Sequence, residues 1–186
     1  MAEDEGALIR RIAGKDKRAF EALYQLYYRR LFGYLVKLTR RLELVEEVLD
    51  DVMLAIWSGA PRFDGRSRPS TWIFGIAYHK GIKALARRRP EETGGHEEDE
   101  AARIDHEEPE SLMVRRELSG VVGKALAALP AEQRAVVELT YYYGLSYQEI
   151  SAIVGCPVNT VKTRMFHARR KLRQLLPQLG VSSHAG

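Results

Sequence analysis

Cysteine is nearly absent from this chain of 186 residues: Cys156 stands alone, which excludes an internal disulfide and a thiolate metal cage. No apolar run reaches the length needed to cross a bilayer, so membrane insertion is not expected. The N-terminal Met1-Ala2-Glu3-Asp4-Glu5 is acidic and lacks the basic and apolar regions of a signal peptide, which points to a cytoplasmic protein. No segment alternates with the two-residue period of a strand, and no internal repeat is present. Enzyme chemistry has little to stand on. There is no nucleophile with a base at motif spacing, no phosphate-binding glycine loop and no cluster of metal-ligating residues, so neither a catalytic residue nor a cofactor is expected. Acidic residues are also missing where they would matter most, because no Asp or Glu follows Glu149.

What is present is strongly segregated charge. The formal net charge is only +4, with an isoelectric point near 9.2. Yet Arg62, Arg66, Arg68, Lys80, Lys83, Arg87, Arg88 and Arg89 face Asp64 alone between positions 62 and 89, whereas the ten acids from Glu91 to Glu110 face only Arg103. Two basic blocks separated by an acidic one suggest two nucleic-acid contacts joined by a solvated linker. At 45% hydrophobic residues, the chain can bury one moderate core or two small ones.

The clearest local pattern lies near the C-terminus. Ser146 followed by Glu149 forms a capping box, Gly155 supplies a left-handed helix end, and Pro157 restarts the chain. Val161, Met165, Ala168, Leu172 and Leu175 then recur at helical spacing, while Lys162, Arg164, Arg169, Arg170, Lys171 and Arg173 take the remaining positions. This is the pattern of a helix-turn-helix whose second helix enters a DNA major groove, where cations meet phosphates and guanine edges. Cys156 fits the turn as a small hydrophobe.

Three further helices are legible in the front half. Asp16 caps one carrying Phe20, Leu23, Tyr24, Tyr27, Leu31, Tyr34, Leu35 and Leu38. A second has Val45, Val48, Leu49, Val52, Met53, Ile56 and Trp57 on one side and Glu43, Glu46, Glu47, Asp50 and Asp51 on the other. Acids spaced by four repel, so this row is a local cost unless a basic partner arrives. A Gly- and Pro-containing loop over 58–69 leads to a third helix, opened by Ser70 or Thr71, with Phe74, Ala77, Tyr78, Gly81, Ile82 and Leu85 inward. Its other face presents Trp72, Ile76, His79, Lys80, Lys83 and Arg87. Aromatic and basic side chains on one surface suit single-stranded nucleic acid; Trp72 reads equally well as a core residue. In the back half, Val121, Val122, Ala125, Leu126 and Leu129 mark a helix, and Pro130 starts another that ends at the Gly144 break.

The fold class is therefore all-α: two small helical bundles joined by an acidic flexible linker, the C-terminal bundle a helix-turn-helix. The expected boundaries are 1–90, 91–111 and 112–186.

The ordered set of local pieces resembles bacterial RNA polymerase sigma factors of the extracytoplasmic-function (ECF) group. In the front half they are Ala19-Phe20-Glu21-Ala22-Leu23-Tyr24, the acidic helix ending in Ile56-Trp57, Arg62-Phe63-Asp64-Gly65-Arg66-Ser67 and Thr71-Trp72-Ile73. In the back half they are Leu129-Pro130-Ala131-Glu132-Gln133-Arg134, Leu145-Ser146-Tyr147-Gln148-Glu149-Ile150 and Thr160-Val161-Lys162-Thr163-Arg164. The resemblance implies that Glu46, Glu47, Asp50 and Asp51 dock on the β′ clamp helices of core RNA polymerase, with the β subunit a further partner. It implies that Arg62, Phe63, Arg66, Trp72, His79, Lys80, Lys83 and Arg87 meet the melted minus-ten strand. Thr160, Lys162, Thr163, Arg164, Phe166, His167, Arg169, Arg170 and Lys171 would meet minus-thirty-five promoter DNA. Lys162, Thr163, Phe166 and His167 would lie nearest the bases, with Arg164, Arg169 and Lys171 nearer phosphate and Phe166 against a thymine methyl. An anti-sigma factor is a further expected partner. The chain departs from the family at His79 and Lys83, where Asn and Asp are common, and at Asp50-Asp51, where Gln-Glu is usual. The competing expectation is a stand-alone helix-turn-helix regulator working without polymerase.

Overall fold

The computed structural model describes residues 4–87 and 112–179, with side chains described from Gly120 onward in the second stretch. The acidic segment expected to link the halves lies outside the described residues. Every regular element among the described residues is helical: α1 (Glu5–Ala13), α2 (Lys17–Thr39), α3 (Leu42–Gly59), α4 (Pro69–Arg87), α5 (Leu112–Ala127), α6 (Ala131–Tyr141), α7 (Tyr147–Val154) and α8 (Val158–Gln178). A short 3-10 turn, Ala60–Arg62, follows α3.

Local chemistry sets most of these boundaries. Asp16 accepts hydrogen bonds from the backbone N–H groups of Arg18 at 2.9 Å and Ala19 at 3.2 Å, satisfying donors that the first turn of α2 leaves unpaired. Those bonds, backbone Ala19 first and then the Arg11 guanidinium, hold the Asp16 carboxyl below its ordinary range. Pro69 opens α4 one residue ahead of the expected Ser70, since proline loses nothing at a position whose N–H has no helical acceptor. Helix α1 was not expected. It is short, but Leu8, Ile9 and Ile12 are all buried beneath it, a spacing of one and three that is visible in retrospect.

Helices α2, α3 and α4 form the front bundle with α1 laid against α2, and α5 to α8 form the back bundle. The expected inner residues of α2 and α3 are buried, among them Leu23, Tyr27, Leu31, Val45, Val52 and Ile56. In α4, Phe74, Ala77, Tyr78 and Gly81 are buried, while Ile82 and Leu85 are half-covered.

The two bundles are in contact. Helix α7 lies across α4 and α6 lies beside α2, so a single cluster of buried residues runs from Leu8 to Ala168. The helices approach closely at Gly75, where a Cβ would come into van der Waals contact with the Ile153 backbone, 3.7 Å from its carbonyl oxygen. Tyr143 inserts its ring between Tyr34 and Phe74, at 5.8 and 4.8 Å between centroids, and its hydroxyl donates to the Arg30 carbonyl at 3.1 Å.

The polar centre of this junction is Arg134, which is buried. Its Nη2 donates to the Leu38 carbonyl at the end of α2 at 2.7 Å. Its Nη1 lies 3.2 Å from the Leu129 carbonyl and 3.3 Å from that of Ala127. A helix leaves its last carbonyls unpaired and carries partial negative charge there, so one guanidinium satisfies two helix ends at once. Glu138, one turn further along α6, is 1% exposed, and burial pushes its carboxyl up to about 8 against the opposing pull of Lys37, Arg134 and Arg40. It is therefore mainly protonated at neutral pH, and the Arg134 charge is met chiefly by the carbonyl dipoles it bonds to.

Two outcomes follow from this junction. Replacing Arg134 with Ala leaves buried carbonyls of two helices unpaired and should lower stability by roughly 3 kcal/mol in denaturant unfolding. Because Glu138 has a raised folded pKa, its contribution is full below the unfolded value near 4.5 and is lost as pH rises through about 8. Glu138→Gln should then abolish the part of the stability loss that wild type shows between pH 5 and 9 in thermal melts; parallel pH profiles for the two proteins would refute this.

Candidate nucleic-acid and polymerase-binding faces

The helix-turn-helix is built as its sequence indicates. The Ser146 backbone N–H donates to Glu149 Oε2 at 2.9 Å, and the Glu149 N–H donates to Ser146 Oγ at 3.3 Å. These bonds to Ser146, backbone first, keep the Glu149 carboxyl below its usual range. Gly155 ends α7 at φ 68°, a left-handed conformation that costs glycine nothing. Ser151 Oγ donates to the Cys156 carbonyl at 2.6 Å, tying the turn back to α7, and Cys156 packs half-buried against the core.

Val161, Met165 and Ala168 anchor α8, leaving two unlike flanks. At about 100° per residue, Lys162, Phe166, Arg169 and Arg173 share one flank, and Thr160, Arg164 and Lys171 the other. On the first, Lys162 and Arg169 are exposed and Phe166 is 63% exposed, with nothing apolar to cover it. Thr163, His167 and Arg170 are exposed between the flanks. The second flank is turned toward the protein. Arg164 is half-buried, and its charge acts on the Tyr78 hydroxyl of α4, opposing the upward push that burial gives that phenol. Thr160 is half-buried, and Lys171 donates to the Ala128 carbonyl at 2.5 Å. Of the cations expected nearer phosphate, only Arg169 lies on the Phe166 side.

In the front bundle, Glu46, Glu47, Asp50 and Asp51 are all exposed on α3, and Leu54, 64% exposed, extends the row by one turn. Part of the expected repulsion is relieved internally, since Lys80 Nζ from α4 lies 3.2 Å from Asp51 Oδ2. Lys80 was expected on the minus-ten face, and in this arrangement it joins that face to the acidic one.

Three of the remaining minus-ten candidates, Trp72, His79 and Lys83, line a cleft of about 500 Å³ between α4 and α7. Trp72, Ile76, His79 and Lys83 supply one wall, Ala152 and Ile153 of α7 the other. Trp72 turns out to serve both of its readings. Its ring lies 5.0 Å from that of Phe63 and against Gly59, yet it also lines the cleft. His79 stands beside the turn, 3.5 Å from where a Cβ on Gly155 would be. Arg68 reaches across to Glu149 at 3.3 Å. Arg62 and Arg87 are exposed without a bond to the cleft, and Arg66 folds back on Asp64, whose carboxyl is lowered first by the Arg66 backbone N–H and then by its side chain. No group of three metal-ligating side chains occurs among the described residues, and no described helix is long and apolar enough to cross a membrane.

Two family models match this chain, Sigma-70 region 2 over residues 23–91 and Sigma-70, region 4 over residues 119–172. The RNA polymerase sigma-H factor of Pseudomonas aeruginosa is 30% identical over 185 residues, covering 95% of this chain and 96% of that protein. The ECF RNA polymerase sigma factor RpoE of Cereibacter sphaeroides is 34% identical over 173 residues, covering 90% and 92%. The chain belongs to the ECF RNA polymerase sigma factors. Among solved structures, CnrH in complex with the cytosolic domain of CnrY superposes with a TM-score of 0.68 at 26% identity, over 95% of this sigma factor and 99% of CnrH. The sigma factor RpoE of Bartonella quintana, solved with the anti-sigma factor NepR, shares the fold with a TM-score of 0.65 at 23% identity, over 85% and 96%.

Sequence reasoning missed two exposed side chains near these faces, Leu54 and Tyr141. The signal for Tyr141 was the run Tyr141-Tyr142-Tyr143, which cannot all face one core at helical spacing. The capping box yields a direct test. Ser146→Ala should lower stability by about 1 kcal/mol in chemical denaturation while leaving helical content unchanged.

Proposed function

We propose that this ECF sigma factor, which lends core RNA polymerase its choice of promoter, divides the work among three faces. The exposed acidic row Glu46, Glu47, Asp50 and Asp51 docks on the β′ clamp helices, with the β subunit as a further contact. The α4 wall with Trp72, His79 and Lys83, together with Arg62, Phe63, Arg66, Lys80 and Arg87, receives the melted minus-ten strand, stacking bases on rings and holding phosphates with cations. The α8 flank with Lys162 and Phe166 reads minus-thirty-five bases, and Arg169 holds phosphate. The observation that carries this reading is the helix-turn-helix itself: a capped α7, a left-handed Gly155 and a recognition helix whose outward flank holds cations around an uncovered phenylalanine.

The working divisions are 1–90 for polymerase and minus-ten binding, 91–111 as acidic linker and 112–186 for minus-thirty-five binding. The protein is a regulatory subunit without catalytic residues and works in the cytoplasm. An anti-sigma factor is its expected regulator. The region 2 match over the front half removes the case for a stand-alone regulator.

Opening is part of this function. Promoter elements centred about 25 base pairs apart are separated by roughly 85 Å of B-DNA. A folded chain of this length has a radius of gyration of about 16 Å when its halves are packed together. The halves must therefore part, freeing the α4 wall from α7, before both elements can be held.

Two measurements test the assignment. Reversing Glu46 and Asp50 to Lys should abolish association with core polymerase in a pull-down while helical content stays constant; undiminished binding would reduce the acidic row to a solvated surface. Lys162→Ala should cost holoenzyme roughly 1–3 kcal/mol and relax discrimination at particular minus-thirty-five positions, whereas Arg169→Ala should weaken all sequences about equally and lower the salt slope by about one.

A further inference from the structure

Tyr141 ends α6 and is 61% exposed, although its two neighbours are engaged. Tyr142 lies under Lys37, whose Nζ is 3.4 Å from the ring centroid, and Tyr143 fills the junction between the bundles. Tyr141 contributes nothing to the core. Its hydroxyl instead accepts a hydrogen bond from Arg169 Nη2 at 2.8 Å, with the guanidinium carbon 5.9 Å from the ring centroid. That bond, ahead of other causes, raises the Arg169 pKa above its ordinary value.

The donor count is informative. A guanidinium has five N–H groups and accepts nothing, so after one bond to Tyr141 the rest remain available. The phenol accepts that bond through a lone pair, which leaves its own proton free to donate elsewhere. Arg169 lies on the α8 flank of Lys162, Phe166 and Arg173, and the sequence after Glu149 carries no carboxylate to compete for these donors. Two adjacent donors, one cationic and one neutral, thus stand exposed beside the flank that faces DNA. A phosphodiester offers two non-bridging oxygens to match them.

We propose that Tyr141 and Arg169 form a phosphate clamp on minus-thirty-five DNA, the guanidinium donating to one non-bridging oxygen and the Tyr141 hydroxyl to the other. Tyr141 also holds the Arg169 side chain in place before DNA arrives, so less rotamer freedom is lost on binding. The clamp rests on the assignment of α8 as the recognition helix. It adds a contact from α6, outside the helix-turn-helix, and it fixes the register of α8 without reading a base.

The test uses holoenzyme assembled from the full chain and core polymerase, titrated on promoter fragments with matched and altered minus-thirty-five elements at several salt concentrations. Tyr141→Phe retains the exposed ring and removes only the hydroxyl. It should weaken binding about five- to tenfold on every fragment, with the thermal unfolding midpoint unchanged. In an Arg169→Ala background the same change should add little, because the two residues act as one unit. A Tyr141→Phe holoenzyme that binds as well as wild type, or better, would overturn the clamp and leave Tyr141 as a resting place for Arg169. Full additivity with Arg169→Ala would overturn it as well. Lys162→Ala serves as the internal reference: if it relaxes sequence discrimination while Tyr141→Phe has no effect, only the clamp fails, whereas no effect from Lys162→Ala shows that α8 itself is misassigned.

Discussion

The arrangement of the molecule depends on one buried cation. Arg134 sits where the last carbonyls of α2 and the chain after α5 converge, and it bonds to Leu38 on one side and Leu129 on the other. Without a donor in that place, two helix ends would be buried with unpaired acceptors, a cost that the apolar contacts around Tyr143 would have to offset. Glu138 does not form a close ion pair with it and is held mostly neutral by burial. The junction is thus one satisfied charge in an aromatic surround, and around it α7 packs on α4 and α6 on α2 within one continuous core.

That packing explains why several cations are not where a charge count would put them. Arg164 is turned half-buried toward Tyr78, Lys171 binds the Ala128 carbonyl, and Lys80 binds Asp51. What remains outward on α8 is Lys162, Phe166, Arg169 and Arg173 along one flank, with Thr163, His167 and Arg170 beside them. The exposed surface pair Lys80–Asp51 contributes little to stability, since exposed ion pairs are mostly offset by solvent. Its interest is geometric, because it links the acidic row on α3 to the basic wall of α4.

The α4–α7 cleft has the same character. Trp72 and Ile76 are half-covered by Ile153 and Ala152, and His79 is set against Gly155. Groups proposed to meet an opened DNA strand are therefore partly enclosed by the domain proposed to hold the upstream duplex. Each half restrains the other while they are packed together.

The local signals in the sequence determined the helices and their class. Asp16, the Ser146–Glu149 box, Gly155 and Pro130 act within a turn of their own positions, and hydrophobic recurrence at helical spacing needs no knowledge of the partner helix. The acidic row on α3 and the basic α8 were legible for the same reason. Only α1 escaped, being too short for its three apolar residues to stand out. The tertiary structure alone decided which side of each helix meets what: Arg134 reaches a carbonyl 96 positions away, Arg169 a hydroxyl 28 away and Lys80 a carboxylate 29 away. Helical periodicity specifies a face but not its neighbour. The neighbour depends on how α7 crosses α4 and where α6 meets α2, and those contacts involve the ring of Tyr143 and the two helix ends that share one arginine.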